Sequence, residues 1–266
     1  NKHRASSRRI KNPSQLVELF TDLGSNLNPL LTQLAKTKRA VFVEGKDFQI
    51  ISKFARKCER SNVENRSDFA VIPVEGFNPE RIRSLKAGID LTLGTPIRAA
   101  AIFDKDYRSE IELSYVRKKC QKFCDNVTAH GRKEIENFLL VPTAIDRAAA
   151  MRVADRSKRV GADVQYSGDA AALLDQFASD NRTYVMTQYL ARLRQFERTN
   201  SPTVDETTIV EAGLKDFEKM WEDPHQRLKL IPGKRALSAI NEQFQISFSI
   251  SVTPTAIINA MQMEEI

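Results

Sequence analysis

Three short apolar runs, each ending in charge and each followed by an amphipathic stretch of helical length, constrain this chain most. They are "RAVFVEGKD" before "FQIISKFARKCER", "FAVIPVEG" before "NPERIRSLKAGIDL", and "PIRAAAIFDKD" before "RSEIELSYVRKKCQKF". Strands alternating with helices of this length cannot pair as hairpins. Each helix must cross over a sheet face, and this predicts an α/β fold with a mostly parallel sheet covered on both sides.

Around that core the pattern changes. From Pro13, residues Leu16, Leu19, Phe20, Leu23, Leu27, Leu30, Leu31 and Leu34 repeat at helical spacing, broken near Gly24 and at Asn28–Pro29, where Asn28 is placed as the cap of a second helix. Residues from about 143 to 222 lack strand-like runs and read as helices. One stripe there is Val185, Met186, Tyr189, Leu190, Leu193 and Phe196; another is Val210, Leu214, Phe217 and Trp221, preceded by Thr203 and Glu206 as a candidate capping box. Both stripes read as core. The tail returns to strand-like alternation at "QFQISFSIS" and closes with a helix at "PTAIINAM". The expected organisation is a basic linker with helices over 1–37, an α/β core over 38–145, an all-helical subdomain over 146–224, and a segment 225–266 that rejoins the core.

At 266 residues with net charge +7, the chain has ample apolar content for a real core. No uninterrupted apolar stretch approaches the roughly 20 residues of a membrane span, and no signal peptide is visible, so a cytoplasmic protein without membrane contact is expected. Residues 1–40 hold eight Lys or Arg against Glu18 and Asp22, so +6 of the charge lies there and only +1 elsewhere. Cys58, Cys120 and Cys124 cannot all pair and lack further zinc ligands, so they read as reduced structural thiols. His3, His130 and His225 form no visible cluster, which argues against histidine-based metal or nucleophile chemistry. The first dozen residues look like a linker, which suggests a fragment of something longer.

The chemistry-bearing residues are acids beside apolar strands. Asp104 and Asp106 follow "AAAIF"; on extended backbone, residues two apart share a side, so both carboxylates would face one spot, where a divalent cation would offset their repulsion. The other reading is a solvated turn whose acids cap the next helix. Glu44 ends the first strand, with Gly45 allowing a tight turn. Glu134 and Glu136 sit in "RKEIENFLL", where strand geometry would turn both inward and helix geometry would separate them.

Taken together, "VFVEGKD", "IFDKDYRS", "RKEIENFLLVP" and "IPGKRAL" resemble the Toprim domain of primases, topoisomerases and nucleases. More narrowly, they resemble the carboxyl-terminal region of the OLD (overcoming lysogenization defect) nucleases. The resemblance covers about residues 39–145 and, more loosely, 225–262; the helical middle carries no matching motif. It implies a Toprim-type sheet flanked by helices, with the helical subdomain added. It also implies a DNA endonuclease using two divalent ions, Mg2+ or Mn2+. Glu44, Asp104 and Asp106 would be the core ligands, with Glu134 and Glu136 completing a second ion. Many Toprim sequences carry an acid four residues after the Glu of Glu-Gly; here that residue is Phe48, and Asp47 either substitutes for the acid or caps the helix. Lys234 would offset charge at the scissile phosphate, and Arg132 and Lys133 are further phosphate contacts. Family members carry an ABC-type ATPase ahead of this region. No G-x-x-x-x-G-K-[ST] occurs here, so the implied partners are DNA and an ATPase part of a longer protein, which would also govern any homo-oligomer.

Other enzyme readings fit less well. Phosphatases with D-x-D-x-[TV] place that motif after their first strand, whereas here Arg108 occupies the last position and the strand is the third. Nothing supplies the nucleotide site of a sugar-nucleotide transferase. The rival of a different class is a DNA-binding or assembly module that keeps the Toprim fold without cleaving.

Overall fold

The computed structural model describes residues 29–266 apart from Phe77 and Ala162. The expected helical repeat from Leu16 to Leu27, its break near Gly24 and the Asn28 cap lie outside the described residues. The chain divides into two compact units. The first comprises Asn65–Phe103, Val116–Thr128 and the described residues up to Phe48; the second comprises Gln49–Glu64, Asp104–Tyr115 and Ala129–Ile266.

The first unit is built on the expected α/β sheet. Strands β1 (Arg39–Glu44), β2 (Ala70–Val74), β3 (Arg98–Phe103) and β4 (Asn126–Ala129) lie in the order β2-β1-β3-β4, all parallel and flanked by helices. The fold class is therefore the α/β one expected, a parallel sheet flanked by helices with an additional helical region, consistent with a Toprim-like fold. β1 pairs with both neighbours, Glu44 opposite Val74 and Val43 opposite Ile102. Phe42, Val43, Ala70, Val74, Ala99, Ala101 and Phe103 are buried along these three strands. Helix α1 (Pro29–Thr37) lies against β2, with Leu31 and Leu34 buried. Gly45, at φ +47°, turns the chain out of β1 as expected and donates its N–H to the Val74 carbonyl at 3.0 Å. Helix α2 (Phe48–Lys57) follows, then the short α3 (Ser61–Glu64), both from Gln49 onward part of the second unit. Helix α4 (Pro79–Leu93) is capped by the Asn78 side chain, with proline in its first turn. Helix α5 (Glu110–Cys120) follows β3. Cys120 and Cys124 are buried free thiols, pushed up to about 11 and about 12 by burial, as inert structural cysteines should be.

The second unit takes in both the helical stretch and the carboxyl-terminal segment. Its helices are α6 (Pro142–Val160), α7 (Ala170–Asn200), α8 (Glu206–Glu222), α9 (Pro224–Leu230), α10 (Gly233–Phe248) and α11 (Pro254–Ala260). Three local expectations need correction. The segment "QFQISFSIS" is the end of α10, not a strand: Phe244 is 1% exposed but Ile246 is 75% exposed, so the buried face follows Ala236, Leu237, Ile240 and Phe244 at helical spacing. On α8 the buried stripe is Ile209, Gly213, Phe217 and Trp221, one residue before the expected Val210 and Leu214, which are exposed. Leu193 packs closely on this face at Gly213, where a Cβ would lie 2.5 Å from Leu193 Cδ2. The cap of α8 is Asp205, which accepts the Thr208 N–H at 3.1 Å, in place of a Thr203–Glu206 box. The stripe of α7 does bury Val185 and Tyr189, and Phe217 stacks on Trp221 at 5.2 Å.

No helix among the described residues is long and apolar enough to cross a membrane. Since Phe42 is fully buried in β1, Phe42→Ala should lower unfolding free energy by about 3–5 kcal/mol, read as a shift in a urea denaturation midpoint at unchanged slope.

Candidate functional site

In the first unit, Glu44 ends β1, half-buried, and the turn after it closes with the Asp47 N–H donating to the Glu44 carbonyl at 3.1 Å. Asp47 is half-buried just before α2. The register of β1 on β3 pairs Val43 with Ile102, the residue before the last of β3.

The second unit carries the remaining acids, and here the extended reading of Asp-x-Asp needs correction. The strand stops at Phe103, and Asp106 has a left-handed backbone, φ +49°, a conformation that Asp tolerates better than most residues. The two carboxylates are therefore not placed by strand alternation. Asp104 is buried. Asp106 is more open, and its Oδ2 accepts a bond from the Arg108 guanidinium at 2.5 Å. Arg108 is itself buried and pairs with the buried Glu112, which also binds Arg192 of α7. Thus a guanidinium fixed from beneath holds Asp106.

Three segments distant in sequence meet at this turn through the backbone. The Asp106 N–H donates to the Lys133 carbonyl at 2.7 Å, and the Lys133 N–H donates to the Lys229 carbonyl at 2.8 Å. "RKEIENFLL" is neither strand nor α-helix but a 3-10 turn, Ile135–Leu139, with Glu134 at its cap. Asn137 in that turn is fully buried and makes three side-chain bonds: Nδ2 donates to the Leu228 and Ile231 carbonyls at 2.7 and 2.8 Å, and Oδ1 accepts the Glu134 N–H at 3.1 Å. Gly233 is required beside it, since a Cβ there would lie 2.8 Å from both the Asn137 N and Oδ1. "IENF" and "PGK" are thereby locked together across almost a hundred residues.

This lock decides where the candidate side chains go. The Glu134 Oε1 accepts the Lys234 N–H at 2.7 Å, at the start of α10, while its Oε2 pairs with Lys133 Nζ at 2.6 Å. Glu136 is half-buried, and its carboxyl is held above the usual range, mainly by burial and also by Glu134 nearby, against the pull of Lys234 and Lys133. Lys234 is exposed in the first turn of α10, where a cation is unfavourable unless an anion is present. Arg132 donates to the Asn137 carbonyl at 2.6 Å and lies 4.7 Å from the Phe138 ring, with burial lowering its pKa; Lys133 Nζ also lies 5.3 Å over Tyr107. These two candidate phosphate contacts are thus half-buried and already engaged.

His130, set aside on sequence grounds, enters the site: its Nε2 lies 3.8 Å from Asp104 Oδ1, and its ring packs edge-on to Phe138 at 5.5 Å. Burial pushes its pKa down to about 4. Arg108 and Asn137 were also missed. His130 directly follows β4, so a parallel fourth strand was the signal that would have found it. No family model, curated protein or solved structure matches the chain.

Two outcomes follow. Asn137→Ala strands two carbonyls and an amide, and should cost about 2–4 kcal/mol, measured by denaturant unfolding. His130 accepts a proton unfolded near 6.5 but folded only near 4. Its contribution to stability is therefore complete above about pH 6.5 and lost as pH falls towards 4. The metal-free chain should lose up to about 3 kcal/mol over that window, and His130→Gln should flatten that slope.

Proposed function

We propose that the chain is the catalytic part of a metal-dependent DNA endonuclease that hydrolyses phosphodiester bonds with two divalent ions, Mg2+ or Mn2+. The supporting observation is the convergence of "DKDY", "RKEIENF" and "PGK" on one place in the second unit, tied by Asp106, Lys133, Asn137 and Lys234.

The donor set fits hard divalent ions, which take oxygen ligands. Glu136 is a carboxyl whose burial and acidic neighbour make its charged form costly, and a cation would relieve that cost. Asp104, Asp106, Glu134 and Glu136 would hold metal in the second unit. The resemblance gives Glu44, and with less support Asp47, the same role at the end of β1. Bound ions would supply an activated water and offset charge on the phosphoryl group.

The chain's own residues orient the rest. Arg108 fixes the Asp106 carboxylate, and Lys133 offsets charge on Glu134. Lys234 is the cation best placed to meet a phosphate, because it is exposed at a helix amino-terminus, where the dipole also favours an anion. Its role would be electrostatic stabilisation of developing negative charge. DNA is the proposed substrate, and an ATPase part of a longer protein the proposed partner.

Supercoiled plasmid incubated with Mg2+, Mn2+ or Ca2+ tests this reading. Wild type should nick and linearise it with Mg2+ or Mn2+. Asp104→Ala, and in a separate variant Glu44→Gln, should lower the rate by at least roughly a hundredfold, and Lys234→Ala by about ten- to a hundredfold. Equal cleavage by wild type and Asp104→Ala would overturn the assignment. Retarded but intact plasmid would favour the non-cleaving DNA-binding module.

A further inference from the structure

We propose that His130 is a direct nitrogen ligand of the ion held by Asp104, giving that position a mixed nitrogen and oxygen donor set. The inference rests on the reading of Asp104 as a metal ligand and adds a nitrogen donor to that site.

The geometry is specific. His130 Nε2 is buried and takes no hydrogen bond among the described residues, although Asp104 Oδ1 lies only 3.8 Å away. That gap is too long for a hydrogen bond. Two donors each about 2.1 Å from one ion stand about 3.0 Å apart at right angles and about 3.4 Å apart at tetrahedral positions. The observed pair would close on an ion by less than about 1 Å.

The neutral ring has two arrangements. With the proton on Nε2, a buried N–H goes without an acceptor; with the proton on Nδ1, a lone pair faces the carboxylate. A cation turns the second into a favourable arrangement, because both atoms then donate to it. The edge contact with Phe138 limits rotation of the ring away from that position. Carboxylate and water ligands suit Mg2+ and Mn2+ alike, whereas imidazole is more typical of later divalent metals, so a nitrogen donor here sets the position apart from an all-oxygen site.

Histidine is the informative ligand because its nitrogen is directly detectable. Untagged full chain, stripped with chelator, is loaded with Mn2+ alone and examined by electron spin echo envelope modulation. Wild type should show 14N coupling from one bound imidazole. His130→Gln, with helical circular dichroism unchanged, should lose it and bind Mn2+ at least about tenfold more weakly. The exposed His225, changed to Gln, and His3→Gln should leave the coupling in place. Bound Mn2+ without 14N coupling in wild type, or coupling that survives in His130→Gln, would overturn the proposal. Plasmid cleavage in parallel separates the two readings. Coupling without cleavage under any metal keeps this ligand and removes the nuclease; cleavage without coupling does the reverse.

Discussion

The buried amide of Asn137 is the interaction on which the second unit's site depends. Two of its three bonds hold the 3-10 turn to the end of α9 and the connection to α10, the third closes the turn on Glu134, and Gly233 leaves room for nothing larger beside it. Without that clamp, Glu134 would not reach the first turn of α10, and Lys133 would not offer its carbonyl to Asp106. A fully satisfied polar group in an apolar interior specifies one arrangement, because every displaced alternative leaves donors or acceptors without partners.

Charge is arranged in layers around this clamp. Asp106 and Glu134 each have a cation in contact, Arg108 and Lys133, so their charges are partly offset by the protein itself. Glu136 and His130 are different: burial makes the charged form of each costly. Groups of that kind are over-represented where a ligand, rather than another side chain, completes the electrostatics. In the proposed nuclease Asp104, Asp106, Glu134 and Glu136 would all hold metal, and in the proposed imidazole site Asp104 would do so together with His130.

Much of the first unit was legible because strand period and helix length leave few choices. β1, β2 and β3 follow the apolar runs, and Gly45 turns where only a left-handed residue is comfortable. β4 was not legible: Asn126–Ala129 is four residues long, with only Val127 and Ala129 apolar. Missing it meant missing His130. The alternation Phe244, Ile246, Phe248 fitted both a strand and a helix, and only the exposure of Ile246 decides between them. The acids themselves were legible as residue types, but their partners were not. That Arg108 takes Asp106, and that Asn137 joins two motifs almost a hundred positions apart, depends on packing that no local pattern encodes.

The chain of ionic contacts from Asp106 through the buried Arg108 and Glu112 to Arg192 ends on α7, a helix of 31 residues. A helix of that length behaves as a stiff rod, and its guanidinium reaches the acidic turn through ionic contacts that tolerate little slack. Whatever bends or rotates α7 therefore pulls on an aspartate that lies far away along the polypeptide. The long helix is a lever whose short arm is a carboxylate.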